Sequence, residues 1–288
     1  MVKIRGVYMM DVRHIKEQAN QIYIHNRKQI IPEFFYVGYI GLLAQYLHSG
    51  LFSFFVSLFL SPIAHGYVVS SIELVEKENP HLDYHKSMVG IIDFARVAPA
   101  YLARKAVILL ATFIAGLPLV LSIYDVLPKL SLEWISSLGN AFIQTEFFIP
   151  DITSLILVLG NSLILLNLCL CLFVYLALTA ILSPVPYVME LEDFSWSESF
   201  RYSFQLIKHQ LWNYFKLYFA FFVRHGIYWF VTGIVIMIVA PIHEILMLLC
   251  LVTSLFFYIE VFKGRYEIAK YLFYKEIRGD FDEKYQED

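Results

Sequence analysis

The chain has 288 residues, 59% of them hydrophobic and only 16% charged, whereas a soluble domain is roughly 45–50% apolar and about 25% charged; a mean hydropathy of +0.62 points the same way, toward lipid. A net charge of −3 excludes a nucleic-acid surface built on a global basic excess. Three cysteines, Cys169, Cys171 and Cys250, all inside apolar runs, exclude a disulfide framework and read as small polarizable packing residues.

The first 33 residues are polar and charged with no early apolar core, so no cleavable signal peptide is expected and the first span drives insertion. Within them Ile15, Ala19, Ile22, Asn26 and Ile30 form a weak helical stripe. A spanning helix needs roughly 20 mostly apolar residues. Phe34 to Ile72 contains no Asp, Glu, Lys or Arg and suits a hairpin: a span at about 34–48, a turn at His48-Ser49-Gly50, and a span at about 51–74 that contains Pro62. The third span is about 106–124, kinked or ended near Pro118. The fourth is about 152–182, closed by Ser183-Pro184-Val185-Pro186. The fifth is about 215–240, with Arg224 and His225 inside it; a short turn follows at Pro241-Ile242-His243-Glu244, and the sixth is about 245–262. Residues 263–288 read as a polar tail that frays beyond Asp280. The predicted fold is all-α: a polytopic bundle of about six spans over 34–262, with amphipathic interfacial helices on the cytoplasmic side.

Orientation follows from Lys and Arg. The segments 1–33, 76–105, 187–216 and 263–288 together hold twenty, and the opposite side holds one, Lys129, in a 125–151 loop that also carries Asp125, Glu133, Glu146 and Asp151. This positive-inside pattern predicts an even number of spans with both termini cytoplasmic.

Two segments facing the cytoplasm look alike. Ser61-Pro62 and Ser183-Pro184 each lead into a charged stretch, an amphipathic segment and a span, which reads as a parallel repeat. The second amphipathic helix is the clearer. Ser195-Trp196-Ser197-Glu198 has the form of a capping box, with the serine serving the glutamate N–H and the glutamate reaching back. Trp196, Phe200, Phe204, Ile207, Leu211 and Phe215 recur at spacings of three and four, as in a helix lying on the inner leaflet. A shorter interfacial helix is expected near 131–143, with Trp134, Ile135, Leu138 and Phe142 toward lipid.

Charges inside spans are costly and mark candidate sites. Arg224 lies 17 residues before Pro241 and Glu260 lies 18 after Ile242, so at about 1.5 Å per residue both stand about 26 Å from the turn. Equal depth on antiparallel neighbours predicts an Arg224–Glu260 ion pair, structural or functional, near the inner membrane edge. His225 and His65 are the further polar candidates in apolar surroundings, read first as packed histidines. No His or Cys grouping has metal-ligand spacing, so no metal ligand is assigned. Gly-x-Ser-x-Gly, His-Glu-x-x-His and the phosphate-binding P-loop are missing, so no catalytic residue is assigned and no cofactor is implied.

Three segments carry a family resemblance. Ile15-Lys16-Glu17-Gln18-Ala19 with Asn26, then Pro62…Gly66-Tyr67, then Ser199…Ser203…Leu206-Ile207-Lys208 with Pro241 and Phe257-Tyr258, together resemble the bacterial multi-span membrane family termed domain of unknown function 975. The Pro…Glu…Ser-x-x-x-Ser arrangement also resembles the membrane domains that accompany some glycerophosphodiester phosphodiesterases, whose catalytic barrel has no counterpart here. The first resemblance implies a bacterial cytoplasmic membrane protein and transfers no activity. The sequence therefore leads to a non-enzymatic membrane scaffold or subunit of envelope machinery, with membrane lipids and another membrane protein as partners and no nucleic acid. The alternative is a transporter or permease subunit for a small or lipidic substrate, favoured by the repeat and the proline-broken helices.

Overall fold

A computed structural model describes residues 3–4, 7–8, 11–46, 56, 58–124, 162–208, 210–239 and 244–286. Apart from an antiparallel pair of two-residue strands, β1 (Lys3–Ile4) and β2 (Val7–Tyr8), the regular structure is helical. In chain order the helices are α1 (Val12–Tyr46), a 3-10 turn (Ser61–Ala64), α2 (His65–Glu76), α3 (Tyr84–Ser87), α4 (Val89–Ile92) and α5 (Phe94–Tyr124). There follow α6 (Ser162–Ile181), α7 (Val185–Leu191), α8 (Trp196–Ile207), α9 (Leu211–Val239), α10 (Glu244–Tyr258), a π-helical turn (Ile259–Lys263) and α11 (Gly264–Gln286).

Among the described residues four segments are long and apolar enough to cross a membrane: Phe94–Ser122, Ser162–Leu191, Leu211–Val235 and Leu246–Gly279. They coincide with the third to sixth predicted spans. Their outer faces carry Phe113, Leu121, Leu166, Phe173, Val223 and Phe230, all well exposed. A soluble surface does not carry contiguous apolar area on this scale, so the chain is a membrane protein. The predicted turns at 48–50 and 241–243, the 131–143 helix and residues 152–161 lie outside the described residues.

Several sequence expectations change in the tertiary structure. The N-terminal stripe is the first part of a single 35-residue helix, α1, that runs on into the first predicted span. Its residues Ile15, Ala19, Asn26 and Ile30 are buried against protein rather than laid on a membrane surface. Asp11 starts this helix by accepting the Arg13 N–H at 3.0 Å. In the second predicted span, Pro62 sits in the 3-10 turn and α2 beyond it is largely enclosed, so lipid is not its main neighbour. The amphipathic segment at 86–104 is divided between α3, α4 and the first turns of α5, with Asp83 capping α3 through the Lys86 N–H at 2.9 Å. Pro118 does not end α5, which continues to Tyr124. Asn167 of α6 instead donates to the Pro118 carbonyl at 3.3 Å and to Ser122 Oγ at 2.8 Å, an interhelical polar clasp of the kind worth about 0.6–2 kcal/mol in a bilayer.

The capping box of α8 forms as its spacing predicts: Glu198 N–H donates to Ser195 Oγ at 3.4 Å, and Ser195 N–H to the glutamate at 3.0 Å. Its buried face is Ser199, Ser203, Leu206 and Ile207, while Trp196 and Phe204 of the aromatic stripe point outward.

The largest correction concerns the C-terminal segment. Residues 263–288, predicted as a fraying tail, form α11 as far as Gln286, and this helix is the centre of the core. Ile268, Ala269, Tyr271, Phe273, Tyr274 and Ile277 are buried and pack with α1, α2, α7 and the start of α9. Burying each such side chain contributes about 1.5–3 kcal/mol.

Ion pairs tie α11 to its neighbours. Arg278 pairs with Glu192 at 2.8 Å, and Lys275 with Glu76 at 3.0 Å. Glu76 also accepts the Tyr271 hydroxyl at 2.6 Å. Burial alone raises the Glu76 carboxyl, but the bonds from Tyr271 and Lys275 outweigh it and hold it below the usual carboxylate range. A depressed folded-state value gives stability that is present above the unfolded-state value, about 4.3, and is lost as pH falls through the folded one. Thermal unfolding in detergent followed from neutral pH down to about pH 3 is therefore expected to show a shallower acid limb in Glu76→Gln than in the parent. Equal acid limbs would rule out this contribution.

Candidate functional site

Helices α9 and α10 run antiparallel, and between them lies a lateral cavity of about 790 Å³. One wall is Arg224, Ile227, Tyr228, Val231, Thr232 and Val235; the other runs from Leu249 and Cys250 through Thr253, Ser254 and Phe257 to Glu260. The repeats of three and four on each helix are the reason a single face of each lines it. Both walls advance eleven residues, roughly 16 Å at 1.5 Å per residue. The polar side chains midway along are satisfied within the wall. Tyr228 donates to the Ser254 carbonyl at 3.0 Å, and Thr232 Oγ1 lies 3.0 Å from Ser254 Oγ. The groove interior is accordingly apolar.

Its mouth is cationic. Arg224 and Arg265 both line it and lie within electrostatic range of one another. The Arg265 guanidinium stands 4.2 Å from the centre of the Tyr23 ring, its Nε donates to Asn20 at 2.9 Å, and its Nη1 donates to the Glu260 carbonyl. Arg224 is exposed and joins no ion pair among the described residues.

The predicted Arg224–Glu260 pair is not formed. Depth is right, since both residues line the same end of the same groove. The partner differs: Glu260 takes Arg27 of α1 at 2.9 Å and accepts the Tyr23 hydroxyl at 2.8 Å. Glu260 keeps the spacing that puts Leu249 to Phe257 on the groove, and Tyr23 and Arg27 of α1, packed alongside, take its carboxylate. Burial, reinforced by the bond to Glu260, pushes the Tyr23 hydroxyl well above its ordinary value, so it acts as a donor throughout the physiological range. The Arg27–Glu260 pair is largely exposed on the arginine side, so solvent screens it.

The two candidate histidines sit elsewhere. His225 packs against the rings of Phe262, at 4.4 Å, and Tyr258, at 5.7 Å. His65 is fully buried; its Nδ1 lies 3.3 Å from the Tyr101 hydroxyl and its Nε2 3.0 Å from Glu190, which also takes Arg96 at 2.9 Å. His65 thus knots α2, α5 and α7 together. Among the described residues no three His, Cys, Asp or Glu side chains converge as metal ligands do.

Sequence reasoning missed Arg27 and Arg265, which it counted as cytoplasmic charges, and a group of ionisable residues on α11: Lys263, Glu267 and Lys270. The signal for the latter was present. Phe262, Tyr266, Ala269, Phe273 and Ile277 recur at helical spacing and mark 262–277 as packed helix rather than tail.

An apolar groove with two arginines at one end can hold a molecule with a long apolar part and an anionic head. No protein-family model, no curated protein and no solved structure matches this chain.

Proposed function

We propose that this protein binds an anionic lipid or lipid-like amphiphile in the groove between α9 and α10, as the substrate-holding subunit of a non-enzymatic, lipid-handling membrane system. The observation that carries the reading is the match of length to charge. The groove spans roughly 16 Å, close to half of a hydrocarbon core of about 30 Å, and ends at Arg224 and Arg265. An acyl chain of one leaflet fits along it, with its headgroup phosphate against the guanidinium groups. In this reading the chain crosses a bacterial cytoplasmic membrane six times, with α1 supplying the first span. Both ends lie in the cytoplasm, in line with the distribution of Lys and Arg, and the arginine mouth then stands at the inner leaflet.

A second reading, a scaffold for another membrane protein, is favoured by the aromatic residues that α8 and the start of α9 leave outward, Trp196, Phe204 and Trp212. The same residues serve equally to seat α8 in the interface.

The test is native mass spectrometry of protein in nanodiscs with equal phosphatidylglycerol and phosphatidylcholine. The parent is expected to retain phosphatidylglycerol. Arg224→Gln is expected to lower that retention about tenfold, since a hydrogen bond to a charged group is worth about 1.5–3 kcal/mol. Leu249→Trp, which fills the far end, is expected to reduce retention of both lipids. Equal retention of the two lipids by the parent, or no change in Arg224→Gln, would overturn the proposal; a stoichiometric protein partner with no bound lipid would favour the scaffold.

A further inference from the structure

A second charged site lies where the π-helical turn runs into α11, and it shares no residue with the groove lining. Glu267 is 3% exposed and sits between two ammonium groups, Lys263 Nζ and Lys270 Nζ, each 2.6 Å from one of its oxygens. Both lysines are about a fifth exposed (22% and 20%), so a small solute can reach them although their carboxylate is enclosed. Each ammonium group has three donors, of which Glu267 takes one. The remaining sides face aromatic rings: Lys263 Nζ is 4.6 Å from the Tyr67 ring centre, and Lys270 Nζ is 5.2 Å from that of Tyr266.

Charge in this region does not balance. Arg104 of α5 stands within electrostatic range of Lys270 and joins no ion pair among the described residues. Glu267 balances only one of its two lysines, so the cluster keeps a net positive charge. A further donor is also unused. Tyr187 of α7 is 2% exposed, its ring lies 5.5 Å from those of Tyr271 and Tyr274, and its hydroxyl has no hydrogen-bond partner among the described residues. That hydroxyl is within electrostatic range of Glu267 and Arg104. Excess positive charge in a low-dielectric setting, with lysine donors and a phenol left over, is the donor set of an oxyanion site.

We propose that Lys263 and Lys270, with the Tyr187 hydroxyl, bind a phosphate-class oxyanion at this cluster, in a field to which Arg104 adds. Its source is either free phosphate or a lipid headgroup, and the chemistry is the same. The site is separate from the α9–α10 groove and does not depend on it.

The experiment is the concentration-dependent rise in unfolding temperature of the full chain in neutral detergent. Sodium phosphate is compared with sodium chloride at equal ionic strength, and the titration is repeated with short-chain phosphatidic acid against short-chain phosphatidylcholine. Stabilisation by phosphate identifies a free anion; stabilisation by phosphatidic acid alone, weakened in Lys270→Met and kept in Arg224→Gln, identifies a headgroup at this site; stabilisation by neither, or by phosphatidic acid alone and unchanged in Lys270→Met, overturns the proposal. Two variants give opposite signs. Lys270→Met is expected to weaken the response about tenfold, whereas Glu267→Gln, which removes the competing carboxylate, is expected to strengthen it at least about threefold. A structural role alone predicts no opposition of sign, so a parallel change in the two variants also overturns the site. Arg224→Gln is expected to leave the phosphate response unchanged, which separates this site from the groove.

Discussion

Replacing Glu267 by leucine is expected to destabilise the protein by about 3–5 kcal/mol, the range for removing one partner of a buried ion pair. Glu267 is buried on the central helix and holds Lys263 and Lys270 at 2.6 Å each. Without it, two ammonium groups stand against the rings of Tyr67 and Tyr266 with no counter-charge between them. The loss comes from the stranded cations more than from the bond itself. The triple change Lys263→Met, Glu267→Leu, Lys270→Met is therefore expected to recover most of the stability, since apolar residues of similar volume replace an ionic cluster at little cost or at a gain. Denaturant or thermal unfolding of the single and triple variants in one detergent decides it. A triple variant no more stable than Glu267→Leu would show that the cluster itself holds the core together.

Gly66→Ala is the second large expected effect. Helix α2 begins against the end of α3, and an added Cβ at Gly66 would stand 1.9 Å from the Ser87 carbonyl oxygen. The approach is reciprocal nearby, since a Cβ at Gly90 of α4 would stand 1.9 Å from the Pro62 carbonyl oxygen. Both neighbours are backbone, so no rotamer change relieves the overlap and the two segments must separate. The expected cost is at the upper end of about 1–3 kcal/mol for overpacking. A helical position that tolerated alanine freely would instead gain about 0.5–1 kcal/mol from propensity. Unfolding temperature reads the sign directly: an unchanged or raised value for Gly66→Ala would mean that α2 and α3 are not held this close.

The π-helical turn couples the packing of α11 to the groove. Glu260 lies in this turn and is held by Tyr23 and Arg27 of α1, which leaves Arg224 to the groove mouth. Gly264, the first residue of α11, meets Tyr23 so closely that a Cβ there would stand 2.4 Å from the ring. The turn thus seats α11 against α1 and, in the same step, sets which charges face the cavity.

The sequence by itself determined the solvent and the elements. A long uncharged run must bury its backbone groups in helices once it leaves water, so hydropathy alone marked the four membrane-compatible helices. The Ser195–Glu198 capping box was equally legible, because its bonds close within one turn of chain. Depth was legible too, since rise per residue is nearly constant, and it placed Arg224 and Glu260 at one level. What only the tertiary structure decided was phase and partnership. Spacing along two helices fixes depth but does not reveal a third helix packed alongside, so Arg27 of α1 rather than Arg224 took Glu260. For the same reason α11 looked like a solvated tail. Its lysines, arginines and glutamates are as polar in the sequence as any exposed ones; Glu267 entered the core because Lys263 and Lys270 meet its charge, while Lys275 and Arg278 reach Glu76 and Glu192 at the surface.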